Sequence, residues 1–140
     1  MAEQTFRLEV VTPVAVVYEG QVTAAQLPAA DGLMGVLPNH APLVCALDLG
    51  PVTITDESGG THQLLITDGF FQIADNHARI LADAGESAED IDVARAEAAE
   101  KRARERLNLR GQKDTTQRDL DFRRAERALQ RALWRRKLGR

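Results

Sequence analysis

The chain has 140 residues, of which 44% are hydrophobic, 28% charged and 4% aromatic, a composition typical of one globular domain or two small ones. No apolar run approaches the roughly 20 residues that a membrane-spanning helix needs. A single cysteine, Cys45, excludes an internal disulfide and a multi-cysteine zinc site. The N-terminal residues lack the basic and apolar segments of a secretory signal, which favours a reducing compartment.

The net charge of −3 conceals two segments of opposite charge. Residues 1–85 contain two basic and ten acidic residues, a net charge of −8, whereas residues 86–140 contain sixteen and eleven, a net charge of +5. All five prolines and eight of the ten glycines precede residue 86. This change in composition predicts a boundary near Gly85 and two domains, residues 1–85 and 86–140.

The first segment has the pattern of short strands separated by turns. Phe6, Leu8 and Val10 alternate with polar residues, as in a half-buried strand. Further β-rich runs follow at spacings near ten residues, which favours an antiparallel β-sandwich or barrel. These predicted strands are Val14–Tyr18, Gln21–Leu27, Leu43–Leu47, Val52–Thr55, Gln63–Ile66, Phe70–Ala74 and Ala78–Leu81. The predicted turns include Asp31-Gly32, Gly50-Pro51, Ser58-Gly59-Gly60, Asp68-Gly69 and Asp75-Asn76.

The second segment predicts an antiparallel two-helix hairpin, so that the fold class of the whole chain is α+β. Ser87 and Asp90 have the spacing of a capping box, and the residues from there to Leu109 include neither glycine nor proline. Gly111 lies in a predicted break at residues 110–115. A second helix, with a cap pattern beginning at Thr116, is predicted to run to about residue 138.

At 100° per residue, each predicted helix has an alanine-rich apolar face with a stripe of arginines beside it. The apolar faces are Val93, Ala96, Ala99, Ala103 and Leu107 on the first helix and Phe122, Ala125, Leu129, Ala132 and Leu133 on the second. The stripes are Arg95, Arg102 and Arg106 on the first and Arg124, Arg131 and Arg135 on the second. Packing the two apolar faces together brings both stripes to one side. A turn near residue 111 predicts that Arg95 is level with Arg131 and Arg102 with Arg124.

The residues alone leave three interpretations of the arginine stripes. A polyphosphate would bridge them, because the guanidinium fork matches phosphate oxygens. Alternatively, the arginines coat a solvated face or are neutralised by nearby acids, which are Asp92, Glu97, Glu100 and Glu126. Nucleic-acid binding is the third interpretation, weakened by the interleaved acids and the scarcity of aromatic residues.

No group of residues predicts an active site. Asp31, Asn39 and His40 can be combined as an acid–base set, but a histidine between two prolines more often fixes a loop. Cys45 lies in an apolar run, which predicts a buried, unreactive thiol. The three histidines lack metal-ligand spacing, and the glycines form no phosphate-binding loop. The chain is therefore predicted to be a binding or coupling protein and not an enzyme.

The stretch from Pro28 to Leu43 resembles the epsilon subunit of bacterial F-type ATP synthases, above all in Gly35-Val-Leu-Pro-Asn-His-Ala-Pro-Leu43. Other segments that agree with the family are Leu8–Pro13, Asp68–Phe71, Ile80–Asp83, Asp90–Ala96 and Asp119–Ala125. The resemblance implies a non-catalytic rotor subunit of the central stalk, which couples proton flow to ATP synthesis. It also implies that the helical hairpin can extend along the gamma subunit and inhibit ATP hydrolysis.

The resemblance further implies the partners and the location. The β-sandwich would contact the gamma subunit and the c ring through residues Asp31, Leu33, Met34, Pro38, Asn39, His40 and Pro42. Many relatives have an acid in Gly-Glu-Leu-Gly, where this chain has Gly32-Leu33-Met34-Gly35, which predicts an apolar contact there. The extended hairpin would reach the alpha and beta catalytic subunits. No nucleic acid is implied, and the complex would hold the chain at the cytoplasmic face of a bacterial plasma membrane.

The segment Ile91-Asp-Val-Ala-Arg-Ala96 matches the Ile/Leu-Asp-x-x-Arg-Ala motif that binds ATP in some bacterial members of the family. The resemblance implies no required cofactor but a regulatory ATP. Its adenosine would lie about Glu86, Ile91, Asp92 and Ala96, and its phosphates would meet Arg95, Arg102, Arg131 and Arg135. The alternative function is a free-standing ATP sensor that uses the same hairpin.

Overall fold

The computed structural model describes residues 4–108 and 115–139. It divides between Ala88 and Glu89 into two compact units, a unit of β-strands and a unit of two helices. The predicted fold class, a β-sandwich followed by a helical hairpin, is confirmed. The predicted boundary at Gly85 lies inside the last strand.

In the described residues, the first unit consists of seven strands: β1 (Phe6–Val11), β2 (Val16–Ala29), β3 (Gly32–Val36), β4 (Leu43–Leu47), β5 (Gly50–Asp56), β6 (Thr61–Ala74) and β7 (His77–Ser87). The pairings are antiparallel except for β1 with β7, which is parallel. Hydrogen-bonded pairs run from β1 to β7, β6, β5, β2 and back to β1. The sandwich therefore closes on itself as a ring of strands.

Strands β2 and β6 are each longer than predicted, because two apparent breaks lie within continuous strands. Val14–Tyr18 and Gln21–Leu27 belong largely to β2. In β6, Thr67 pairs with Ala84 and Gly69 with Ala82, so the register of β6 against β7 is unchanged across Asp68, although this residue has φ 46°. A Cβ on Gly69 would meet the Leu81 carbonyl oxygen and lie 2.8 Å from the Ala82 Cα, which explains the glycine.

Strand β3 is absent from the sequence prediction because its residues do not alternate between buried and exposed positions. Only Val36 of this strand is buried, and Leu33 is exposed. The first residue of the strand, Gly32, has φ 128°, so the predicted Asp31-Gly32 turn is confirmed as the connection between β2 and β3.

The core of the first unit lies between the two layers of strands and consists of large apolar side chains. The largest fully buried ones are Phe6, Leu8, Val10, Val22, Leu27, Val36, Val52, Ile54, Ile66, Phe71, Ile73 and Ile80. Cys45 is half-buried at the edge of this core, not fully buried as predicted. Partial burial, with the charge of Asp31, raises the pKa of its thiol, which keeps it in the less reactive protonated form.

In the second unit, a short 3-10 helix (Ala88–Asp90) precedes α1 (Val93–Asn108), and α2 spans Thr115–Leu138. The predicted capping box at Ser87 is wrong, because β7 extends to that residue. Asp92 caps α1 instead: its Oδ1 accepts a hydrogen bond from the Arg95 amide at 3.0 Å. Of the predicted break, residues 110–114 lie outside the described residues.

Helices α1 and α2 pack antiparallel through small side chains. A Cβ on Gly139 would lie 2.6 Å from Val93 Cγ2, so the end of α2 meets the start of α1. The predicted alanine faces are confirmed at four fully buried positions, Ala96, Ala103, Ala125 and Ala132. Leu133 is 39% exposed, contrary to the prediction, whereas Ile91 and Leu138 are buried. No helix in the described part of the chain is both long and apolar enough to cross a membrane.

Candidate functional site: the arginine face of the helical hairpin

Four arginines share one side of the hairpin, which we call the arginine face. Arg95 and Arg102 each precede a buried alanine of α1 by one residue, and Arg131 precedes a buried alanine of α2 in the same way. Because the helices are antiparallel, the same rotational offset places these arginines on the same side of the pair. Arg135, one turn beyond Arg131, belongs to that side as well.

The register of the two helices differs from the prediction by about two turns. Gly139 contacts Val93, and the Arg136 Nη1 lies 2.6 Å from the Glu100 Oε2. These contacts place Arg131 level with the region around Arg102, so the prediction that it is level with Arg95 is wrong. The four arginines consequently lie within about two helical turns, or roughly 10 Å along the hairpin axis.

Three arginines of the arginine face have no ion pair within the described residues. Arg95 and Arg102 are exposed, and Arg131 and Arg135 are half-buried. Across the residues that the structure describes, the side chains of Arg95, Arg102 and Arg131 form no ion pair. Guanidinium groups held together in this way repel one another, so an anion with several oxygens would be favoured between them.

The opposite side of the hairpin is neutralised. Glu100 accepts hydrogen bonds from Arg104 on its own helix at 3.1 Å and from Arg136 on α2 at 2.6 Å. The Arg136 Nε also lies 4.0 Å from Glu97. The Arg136 hydrogen bond holds the pKa of Glu100 below its usual value, and the pKa of Arg136 is raised in turn. Local neutralisation by acids is therefore confirmed for this side, whereas Arg95, Arg102 and Arg131 form no ion pair within the described residues.

The other residues assigned to ATP lie in different environments. Asp92 is exposed and its carboxylate caps α1, so one of its oxygens already has a hydrogen-bond partner within the chain. Ile91 and Ala96 are buried in the hairpin. Glu86 lies in β7, where it pairs with Leu65 of β6. Their contacts with a nucleotide stay predictions.

The residues assigned to the gamma subunit and the c ring lie on or beside β3. Asp31 is exposed in the turn that precedes this strand, Leu33 is 67% exposed, and Met34 is half-buried. Pro38 is half-buried and Pro42 is exposed in the loop that follows. This part of the sandwich therefore presents an apolar side chain, that of Leu33, to solvent.

Asn39 is the residue that fixes the loop after β3. It has φ 62°, and its amide donates a hydrogen bond to the Asn76 Oδ1 at 2.8 Å. The Asn76 side chain in turn donates to the Thr5 carbonyl at 2.7 Å, which ties the loop to the β6–β7 turn and to the start of β1. His40, for which a loop-fixing role is predicted, has its Nδ1 2.7 Å from the carbonyl oxygen of the next residue.

The alternative acid–base set is not assembled. Asp31 and His40 lie beyond opposite ends of β3, a strand of five residues that spans about 16 Å. A grouping of three or more histidine, cysteine or acidic side chains that could hold a metal ion does not occur in the described ranges.

An exposed apolar band on the sandwich was missed by the sequence prediction. Its members pair side by side across five strands and therefore share one outer face: Ala46, Phe70, Leu81, Val11 and Val16. Phe70 is 59% exposed, whereas its neighbour Phe71 is in the core. The consecutive phenylalanines were the available signal, because adjacent strand residues face opposite sides of a sheet.

A groove of about 540 Å³ lies beside the apolar band, between the start of β4 and the β6–β7 turn. Val44 and Gln72, which pair across β4 and β6, line it together with His77 and Arg79 of β7. Arg79 is already bonded to Glu9 at 3.2 Å, so the groove has an internal ion pair at its border. The band and the groove together form a mainly apolar contact surface.

Comparison with known proteins finds a matching family model for each of the two units. The family model described as the ATP synthase delta/epsilon chain, beta-sandwich domain, matches residues 5–88, and the long alpha-helix domain of the same chain matches residues 89–137. The ATP synthase epsilon chain of Pelotomaculum thermopropionicum is 49% identical over 107 residues, covering 76% of this chain and 79% of the relative. That of Syntrophomonas wolfei is 40% identical over 133 residues, covering 95% and 93%.

Among solved structures, a chain in the cryo-EM structure of the Euglena gracilis mitochondrial ATP synthase has the same fold. The match has a TM-score of 0.76 with 24% sequence identity, and it covers 92% of this chain and 78% of that one. The fold thus defines a two-domain protein, a closed β-sandwich followed by a basic helical hairpin. The chain belongs to the family of ATP synthase epsilon chains.

Proposed function

We propose that this chain is a non-catalytic subunit of the central stalk of an F-type ATP synthase, where it couples proton flow to ATP synthesis. The observation that supports this most strongly is the likeness to epsilon chains across both units, at 40% identity over 95% of the chain. Association with the complex would hold the protein at the cytoplasmic face of the membrane, and nucleic acid has no part in this function.

The sandwich is the proposed contact with the gamma subunit and the c ring. Exposed Leu33 and the loop from Pro38 to Pro42 supply the contact with the ring, and the apolar band adds a surface for gamma. Contiguous exposed apolar surface of this kind marks protein interfaces. Burial of a phenylalanine such as Phe70 at an interface contributes about 1.5–3 kcal/mol.

Co-purification with the gamma subunit tests this proposal. After co-expression, the wild-type chain is expected to retain gamma, and Phe70→Ser is expected to weaken that retention. Val14→Ser is a suitable control, because Val14 is also exposed but lies in the β1–β2 turn outside the strands. Failure of the wild-type chain to retain gamma would favour the alternative, a free-standing ATP sensor.

The arginine face is the proposed site of a regulatory ATP. Arg95, Arg102, Arg131 and Arg135 would bind the phosphates, and the family motif adds Glu86, Ile91, Asp92 and Ala96 as contacts of the adenosine. The absence of ion pairs at the first three arginines supports this within the described part of the chain, because the guanidinium donors are available. ATP would hold the two helices in the closed pair.

The hairpin is also the proposed inhibitor of ATP hydrolysis. Its helices contact each other mainly through alanines, so closed and extended forms can differ by only a few kcal/mol. The extended form would reach the alpha and beta subunits, and its basic side chains would attract acidic surface there. This attraction is expected to weaken as the salt concentration rises.

ATP titration of the purified chain tests the binding site. At one hundred times its dissociation constant, ATP is expected to stabilise the chain by about 2.7 kcal/mol and to raise its melting temperature. Arg95→Ala is expected to remove this effect, whereas Arg104→Ala, a substitution on the neutralised side, is expected to retain it. An unchanged melting curve at millimolar ATP would contradict the proposal.

A further inference from the structure

Glu100 connects the two helices on the side opposite the arginine face. It is the carboxylate that Arg136 reaches from α2, and only 12% of its side chain is exposed to solvent. Arg104 bonds the other carboxylate oxygen from within α1. A largely buried carboxylate is stable only when such partners compensate for its lost hydration, so its position depends on where Arg136 lies.

The alanine faces alone do not determine the register of the hairpin. The buried alanines of α1, Ala96 and Ala103, are seven residues apart, and so are Ala125 and Ala132 of α2. A slip of α2 by seven residues would therefore place alanine against alanine again. The slip would move the helix by about 10 Å along its axis.

The same slip would change the hydrogen-bond partners of Glu100. Moving α2 by seven residues would replace Arg136 with Leu129 in front of the carboxylate. The carboxylate would keep Arg104 but lose its interhelical partner, which is unfavourable for a charged side chain that is only 12% exposed.

We propose that Glu100 and Arg136 form an interhelical clamp that sets the register of α2 against α1 and so keeps Arg102 and Arg131 level on the arginine face. The two residues act through position and touch no ligand. A polar contact that selects one register among similar apolar packings is an established device in paired helices. The clamp exists independently of any ligand, whereas its effect on ATP rests on the proposed function.

Spin-label distances across the hairpin test the register directly. In a full-length Cys45→Ser background, labels at Arg102→Cys and Arg131→Cys are expected to give one short distance. Adding Arg136→Met is expected to produce a second, longer distance from the slipped pair. Adding Arg104→Met instead, which removes the same charge from the same carboxylate but within one helix, is expected to preserve the single distance.

Arg136→Lys keeps the positive charge and is the control for unfolding caused by a substitution at this position. It is expected to retain the single short distance and the helix content measured by circular dichroism. A single unchanged distance with Arg136→Met would overturn the clamp. Equal broadening by Arg104→Met would also overturn it, because the effect would then follow the loss of charge and not the interhelical bond.

ATP binding to chains without labels provides the second measurement. Arg136→Met is expected to weaken apparent ATP affinity about tenfold, because only hairpins in register bind and their fraction falls. Arg104→Met is expected to change it less than about twofold. If the wild-type chain binds no ATP, the proposed function fails at that site, while the spin-label distances still decide whether the clamp exists.

Discussion

The two units of this chain differ in the amount of apolar surface that each buries in its own interior. The sandwich buries phenylalanine, leucine, isoleucine and valine side chains from both layers, whereas the helix pair buries chiefly four alanines, with Ile91 and Leu138 at one end. Each buried methylene contributes about 0.8 kcal/mol, so the alanine interface is much the weaker. We therefore expect the helix pair to separate at a lower free-energy cost than the sandwich needs to unfold.

Replacing a core residue of the sandwich should give the largest effect. Phe71→Ala is expected to lower the free energy of unfolding of the first unit by about 3–5 kcal/mol, because it leaves a cavity in the closed core. The measurement is urea denaturation followed by a probe in the strands. Phe70→Ala is the matched control: its side chain is 59% exposed, and its loss should cost no more than about 1 kcal/mol. Equal losses would contradict the assignment of the two faces.

The close approach of β6 to β7 at Gly69 gives the next largest effect. Gly69→Ala would place a Cβ against the Leu81 carbonyl and 2.8 Å from the Ala82 Cα, so β6 and β7 must separate locally. We expect a loss of about 1–3 kcal/mol in the free energy of unfolding. Gly35→Ala is the control, because a Cβ there has no atom within 4 Å. A harmless Gly69→Ala would show that β7 does not approach β6 at Gly69 as closely as described.

At the start of the hairpin, Asp92→Ala should destabilise α1 by about 1 kcal/mol, because the Arg95 amide loses its acceptor. Hydrogen exchange at the first turn of α1 and the helix content report the change. Asp92→Ser restores a capping oxygen and is expected to recover both. If Asp92→Ser restores the cap but not ATP binding, the carboxylate contributes to the nucleotide site in addition to capping the helix.

The smallest effect that we expect is the pH dependence of the hairpin. The pKa of Glu100 is lower in the folded chain than in the unfolded one, mainly through the Arg136 hydrogen bond, with burial opposing. The contribution of ionised Glu100 to the stability of the hairpin is therefore complete above the unfolded pKa of about 4.3. It is lost as the pH falls through the pKa of the folded chain. Interhelical spin-label distances should broaden in acid, and Glu100→Gln should show that broadening already at neutral pH. Arg104, Arg136 and Glu97 are the charged groups that face this carboxylate.

Residue alternation and helical periodicity were enough to predict the fold class, β1 and the four buried alanines. They were insufficient where one local residue pattern is compatible with two different backbone structures. Asp68-Gly69 has the residues and the positive φ values of a turn, yet β6 continues through it with an unchanged register against β7. The register of the hairpin could not be predicted either, since its alanine faces repeat every seven residues.

The candidate site could be predicted only in part, because some of its features depend on the register of the helices or on the pairing of the strands. The side of the hairpin that carries Arg95 and Arg102 follows from periodicity, whereas the pairing of Glu100 with Arg136 depends on the register. The apolar band depends on the pairing of five strands, which no single segment of sequence contains. Phe70 could be recognised as outward-facing only once its neighbour was placed in the core.

The ring of strand pairs has a mechanical consequence. Each strand of the ring β1, β7, β6, β5 and β2 is hydrogen-bonded to a neighbour on both sides. A force applied to one of these strands is therefore distributed over two sets of hydrogen bonds. Such a shell resists shear and leaves few open edges on which a second chain could polymerise. In a part that turns under load, this stiffness would transmit torque with little loss to deformation.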